Sequence, residues 1–422
     1  MKRLILLSFL ATFSFCSDAQ TKKSPKTLSA EHLKKYTSYF TIENGGFKGK
    51  GTKTIKNLVN SSQFITYGEI HGSYQVSAIT KAFMPLLKKA GFNHFAIEVG
   101  PTSAKKLTEL STPAEKTVEN LKAFNSKYTV SKGKESAHPI PFFDAVSDAE
   151  FLQEARANGM QLWGLDQEYY YATFFLVDEL MRTVEGTSEA SRLTSLKNTA
   201  IQIMYKHFLD EVTEKIDDAY PLIVKEKAVN DFFDAFPKDN KEAQEIINNM
   251  KISWDIYIRW RNDSHVDRIS YIRNNFMKHY NEALAKEKKP KVFTKIGSLH
   301  ASKILSNGAF DIGNLTEELA QRNKTQSTAI TTWIPFKQTE KGLVNNFEKY
   351  KRNYARYSMI TPLAQKDQWA IVNLKEVREQ IIKGKVALPT NGDYHKLKRL
   401  IWGYDYLIMP SVDQENTPNR TN

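Results

Sequence analysis

The chain has one cysteine, Cys16, in 422 residues. A disulfide framework and a site of several zinc-bound thiolates are both excluded. No apolar run reaches the roughly twenty residues that a membrane-crossing helix needs. The longest, Leu4 to Phe15, spans twelve positions. Glycine-rich phosphate loops are missing too: no Gly-x-Gly-x-x-Gly follows a strand pattern and no Gly-Lys-Ser or Gly-Lys-Thr occurs, which argues against the common nucleotide folds. His-Glu-x-x-His and Gly-x-Ser-x-Gly are equally absent, arguing against ordinary zincins and α/β-hydrolases. No repeat is legible at periods of about 20 to 50 residues.

What is present is the composition of a folded protein, 41% hydrophobic and 25% charged. The length suits two or three units, or one α/β domain with an insertion. The formal charge is +13, yet the basic residues are scattered, whereas a nucleic-acid binder gathers them on one face or arm. Lys286, Lys288, Lys289 and Lys291 sit beside a strand pattern and read as a solvated turn. No nucleic-acid partner is expected, and the excess serves solubility and attraction to anionic surfaces.

Residues 1–19 read as a signal peptide. Lys2 and Arg3 form a positive start, Leu4 to Phe15 an apolar stretch, and Ser17 and Ala19 the small residues of a cleavage site. Cleavage near Ala19 removes Cys16 and predicts a periplasmic or secreted protein without a membrane span. The competing reading is a lipoprotein acylated on Cys16, against which Phe15 stands where processing wants a small residue. Residues 20–40 are expected to form a tether, 41–411 an α/β catalytic domain, and 412–422 a disordered tail.

Strand and helix patterns alternate. Phe64–Gly68 is β-prone, Ser73–Ala90 is helical and stopped by Gly91, and His94–Val99 is a second strand closed by Gly100-Pro101. Ser147-Asp148-Ala149-Glu150 reads as a capping box, with Ser147 as cap and Glu150 reaching back. Gln161–Leu165 is a third strand, and 291–298, 327–333, 368–374 and 404–409 are further candidates. The fold class is therefore α/β, with a mainly parallel central sheet and helices on both faces. Residues 168–285 hold long helical patterns and no strand, which predicts a helical insertion. Its many aromatic residues, Tyr169, Tyr170, Phe208, Tyr220, Trp254 and Trp260 among them, suit helix–helix packing or a lid over an apolar ligand.

In such sheets ligands bind beyond the carboxyl ends of the strands. Glu69 and His71 follow the first strand, Glu98 ends the second, Asp166 ends the third, and Ser298 and His300 follow the fourth. One polar strand end is commonplace; ionisable groups at successive ends are not. His71, above a helix start with Gly72 allowing the turn, can stay neutral and accept a proton from water, while Glu69 or Glu98 fixes its tautomer. Arg273 shares a helical face with Val266, Ile269, Phe276, Met277 and Tyr280. It either clamps a carboxylate or developing oxyanion or snorkels to water. His265, flanked by charges, reads as part of a solvated face.

Taken in order, Tyr67-Gly68-Glu69-Ile70-His71-Gly72-Ser73, Phe95-Ala96-Ile97-Glu98, Gly164-Leu165-Asp166, Arg273 with Met277, and Gly297-Ser298-Leu299-His300 resemble the erythromycin esterase family. The resemblance runs from about Phe64 to Leu305 and more weakly to Tyr404-Asp405-Tyr406-Leu407. It implies metal-independent ester hydrolysis with His71 as general base and Glu69, Glu98, Arg273 and His300 completing the site. One residue separates Glu69 from His71, where the family usually has two. That shorter spacing is closer to the haem-binding and peptidase relatives of the wider superfamily.

The sequence thus predicts a hydrolase of an ester, lactone or similar carbonyl bond in a small, partly apolar molecule. His71, Glu69, Glu98, His300 and Arg273 are expected to be catalytic, and Asp166, Ser73 and Ser298 to contact substrate, with no metal or other cofactor. The alternatives use the same residues: a divalent metal held by the histidines and carboxylates, or haem with a Tyr or His as axial ligand.

Overall fold

The computed structural model describes residues 25–421 apart from 133–134, 263, 351–354 and 391–393. The leader and Cys16 lie outside the described residues.

Nine strands form the central sheet: β1 Thr37–Glu43, β2 Gly46–Lys48, β3 Phe64–Glu69, β4 His94–Ile97, β5 Gln161–Gly164, β6 Val292–Gly297, β7 Ser327–Thr332, β8 Trp369–Asn373 and β9 Tyr406–Met409. Their order is β2-β1-β8-β9-β7-β3-β6-β4-β5. The six strands from β9 to β5 run parallel. The β8, β1 and β2 strands add an antiparallel edge. The fold is α/β with a mostly parallel sheet between helical layers, as the alternation predicts. Ile65, Tyr67, Phe95, Ile97 and Phe293 belong to the core on one face; Phe64, Ala96, Val292 and Ile296 belong to the other. That two-residue alternation between two dry faces is why these strands read as nearly continuous apolar runs.

The chain leaves β3 toward β4 on one side, and β6 later inserts between them before crossing to β7 on the opposite side of β3. The carboxyl ends of β3, β6 and β4 therefore border a topological switch point. Local signals set the turns there. Ser73 caps the helix Tyr74–Lys89, its Oγ accepting from Val76 N at 3.2 Å. Gly72 adopts φ 72°, a conformation open to glycine at no steric cost. Pro101 opens the helix Pro101–Leu110 directly after β4.

Three expectations are corrected. The proposed tether is structured over residues 25–40: Leu28 and Leu33 are buried in the core, and Thr37 begins β1. The polar tail also packs. Asp413 accepts from Ser73 Oγ and Gln75 N, both at 3.0 Å, and buried Asn419 donates from its side chain to Val118 O at 3.2 Å. Polar residues at a chain end can pack when they satisfy backbone groups and helix starts, which composition does not reveal. The helix Val146–Ala157 is capped at Ala145 instead of Ser147; Asp148 reaches back to Ala145 N, and Ser147 bonds Asn416.

Between β5 and β6 the residues from 168 to 285 form helices only, among the described residues. Phe175, Phe208, Tyr220, Phe232 and Trp254 are buried there and continue the core of one sheet face. No helix among the described residues is long and apolar enough to cross a membrane.

Candidate active site

Register brings the strand-end groups together. Tyr67 lies opposite Lys295 and Glu69 opposite Gly297, so Glu69 and Lys295 project from one face, two positions apart along the strands. The Lys295 ammonium donates to Glu69 Oε2 at 2.5 Å, with both side chains almost wholly buried. Burial alone would raise the Glu69 carboxyl, but Lys295 and His71 overrule it and hold it at about 2. The other oxygen, Oε1, faces His71 Nδ1 at 3.5 Å and has no further partner.

His71 is the accessible member, its side chain 40% exposed. Its Nε2 faces Glu98 Oε2 at 3.8 Å, leaving a gap between them. Its ring stacks on Phe142 with centroids 3.9 Å apart and planes 11° from parallel. Phe142 itself holds φ 64°, a region that disfavours a bulky residue by about 1–2 kcal/mol. The strain sits where the ring fixes the imidazole plane.

Glu98 is the hub. Its Oε2 accepts from Gly297 N at 2.5 Å, and its Oε1 accepts from Arg268 Nη2 at 3.0 Å. His300 Nε2 stands 3.4 Å from the same oxygen, and His300 Nδ1 donates to Asp311 Oδ2 at 2.6 Å. Burial opposes the charge on His300, but Glu98 and Asp311 together raise its pKa above the usual imidazole value. Arg268 also forks onto Asp166, with Nε 3.0 Å from Oδ1 and Nη2 against Oδ2, and donates to Gln167 Oε1 at 3.0 Å.

His71, Glu69, Glu98, His300 and Asp166 therefore converge. Arg273 does not. Its Nη1 donates to the carbonyls of Phe310 and Asp311 at 3.1 and 3.3 Å, so it braces the turn whose Asp311 holds His300. Arg268, five residues earlier on the same helix, takes the role expected of Arg273. Ser73 is consumed by its helix cap and by Asp413. Ser298 donates to Glu69 O at 3.0 Å and lines a different, smaller cavity. His265 is not simply solvated, since its ring lies 6.4 Å from that of His300. The residues missed from the sequence are Arg268, Lys295, Asp311 and Phe142. A lysine inside the apolar run Val292–Gly297 was a usable signal; Asp311 and Phe142 lie in loops without one.

The cluster opens on a cavity of about 470 Å³. Glu98, Asp166, Arg268 and the His71-stacked Phe142 form its inner end, and Tyr169, Tyr170, Glu211, Asp218, Tyr257 and Trp260 of the helical segment form much of its wall. At the far end the Tyr170 hydroxyl lies 2.7 Å from both Glu211 and Asp218. Burial and the neighbouring Asp218 raise the Glu211 carboxyl above its ordinary value.

No protein-family model matches the chain, and no curated protein matches it in sequence. Solved structures do share the architecture. A Bacillus cereus protein superposes with a TM-score of 0.51 at 13% identity, over 92% of this chain and 98% of its own. A succinoglycan biosynthesis protein gives 0.51 at 13% identity, over 92% and 97%. A mutant of the erythromycin esterase EreC in its open conformation gives 0.47 at 12% identity, over 87% and 96%. At these identities the likeness is one of fold, and it extends along nearly the whole chain.

Proposed function

We propose that the chain is an exported hydrolase of an ester, lactone or similar carbonyl bond, with His71 as the general base. The observation that carries this reading is His71 itself: half-exposed, between two buried carboxylates, and stacked on Phe142, which with Glu98 lines the cavity. Glu69 accepts Nδ1–H and fixes the tautomer, so that Nε2 takes a proton from water in the gap facing Glu98. The hydroxide attacks the carbonyl carbon. Glu69 and Glu98, on either side of His71, stabilise the imidazolium as it forms, and His71 then returns the proton to the leaving alkoxide. Arg268, which lines the cavity, faces the oxyanion in place of the expected Arg273, while His300 backs Glu98.

The cavity wall describes the substrate. The rings of Phe142, Tyr169, Tyr170, Tyr257 and Trp260 suit a partly apolar body, and five carboxylates against one guanidinium favour neutral or amine-bearing molecules over anionic ones. A panel of neutral, amine-bearing and carboxylate-bearing esters and lactones tests both points. His71→Ala should abolish turnover of whichever substrate is cleaved, and retention of full activity would remove His71 from the mechanism. The mass of the exported protein tests cleavage near Ala19.

A second reading is favoured by one observation. Donor atoms of Glu69, His71 and Glu98 lie within 4.8 Å of one another, and Glu69 Oε1 lacks a hydrogen-bond partner. These three could hold a divalent cation that activates water. Metal content of the purified protein, together with activity before and after chelation, separates the two readings.

A further inference from the structure

A second concavity lies on the other side of the Ser298–His300 loop, and its chemistry is opposite to that of the main cavity. It measures about 130 Å³ and is lined by Arg356, Lys396, Arg399, Tyr404 and several hydroxyl residues, with no aspartate or glutamate in its wall. Three segments build it. The turn Ala355–Tyr357 supplies Arg356, and the helix Tyr394–Gly403 supplies Lys396 and Arg399 from one face. The ends of β6 and β7 supply Ser298 and Thr331.

The two guanidinium groups of this wall are held by an aromatic ring and a backbone carbonyl. Arg356 lies over the Tyr357 ring, 4.9 Å from its centroid, and that ring is stacked on Trp333. Arg399 donates to the Leu305 carbonyl at 3.3 Å. Neither guanidinium has a carboxylate within ion-pair distance among the described residues, although acids elsewhere are extensively paired with lysine and arginine. Both positive charges are felt at the buried Tyr404 hydroxyl, which donates to Ser298 O at 2.6 Å. Two planar guanidinium forks lining one small concavity suit a tetrahedral oxyanion, which accepts paired hydrogen bonds from each. The volume admits one such group and excludes a polyanionic chain.

We infer that this pocket binds a phosphate-type oxyanion, with Arg356 and Arg399 as its principal contacts. The binding does not depend on His71 or on any hydrolysis. The group could be carried by a free small molecule or by a phospholipid headgroup, and the pocket's chemistry is the same for both.

The test is calorimetric titration of the full chain with inorganic phosphate, against potassium chloride at matched ionic strength. Saturable binding of phosphate but not chloride is expected. Arg356→Gln and Arg399→Gln should each weaken it by about tenfold, the loss of one charge-assisted contact, while the thermal midpoint without phosphate stays unchanged. No saturable binding to the unaltered protein, or binding by both variants as tight as that of the unaltered protein, would overturn the inference. If a variant unfolds, Arg399→Lys, which keeps charge without the fork, takes its place and should still weaken binding. Co-sedimentation with phosphatidic acid vesicles against phosphatidylcholine vesicles distinguishes the source: headgroup recognition requires retention on the former that both arginine variants lose, and free-ligand recognition requires phosphate binding without such retention.

Discussion

Replacing Arg268 by methionine isolates the most concentrated electrostatic commitment in the molecule. The guanidinium lies within 3.0 Å of Glu98 and forks onto Asp166, and the side chains concerned are 14%, 4% and 8% exposed. Burial works against the Arg268 charge, but Asp166 and Glu98 overrule it and raise its pKa. Methionine keeps most of the stem and removes the charge, which leaves two buried carboxylates without their shared cation. Breaking such a pair typically costs about 3–5 kcal/mol. At low pH the orphaned carboxyls take up protons. Groups that bind protons more tightly folded than unfolded lend stability as pH falls, each unit of difference being worth about 1.4 kcal/mol. Urea unfolding of both proteins at about pH 7.5 and about pH 4.5 should therefore show a large gap that narrows on acidification. Adding Glu98→Gln to the variant should recover part of the loss at the higher pH. A gap below about 1 kcal/mol, the scale of an exposed pair, or one that does not change with pH, would refute the account of Arg268 as the buried counter-charge.

The remaining predictions address neighbouring groups. The raised pKa of His300 means that its charge contributes stability fully below the unfolded imidazole value near 6.5 and loses it as pH rises through the folded value; the stability difference between the native chain and His300→Gln should shrink over that interval, followed by unfolding and by the His300 ring resonances. Glu69 has the opposite sign. Held at about 2 against the ordinary carboxyl value of 4.5, it contributes about 3 kcal/mol above the unfolded value, lost as pH falls toward 2, and Lys295→Met should remove most of this, flattening that part of the acid-unfolding profile. Gly297→Ala would place a methyl 3.1 Å from His71 Nε2 and 3.3 Å from Glu98 Oε2. Because His71 can swing outward, stability should change by less than about 1 kcal/mol while turnover falls about tenfold or more; unchanged turnover would show that the His71 position is not critical.

How much of this was legible follows from how each element fixes its side chains. Parallel strands are brought level by their ladder, so polar residues ending successive strands must meet at one rim, and His71, Glu69, Glu98, Asp166 and His300 could be read from order alone. The antiparallel edge was missed in β1 and β2 because their residues are mostly half-buried, which blurs the alternation that marks a strand. Helices are harder in another way, since an apolar stripe leaves the rotation of the helix uncertain by about one residue, or roughly 100°. The stripe drawn through Val266, Ile269, Phe276, Met277 and Tyr280 selected Arg273, but Val266 is 49% exposed, and the face that packs keeps Ile269, Phe276 and Tyr280 while adding Ile272. Arg268 stands one turn before Ile272 on the same i to i+4 row, so the row Arg268, Ile272, Phe276, Tyr280 pointed to it. Phe142 and Asp311 belong to loops, whose course no periodicity governs. The division is physical: residues set by a hydrogen-bonded register can be located from sequence, whereas those set by helix rotation or loop closure depend on the packing that sequence pattern leaves open.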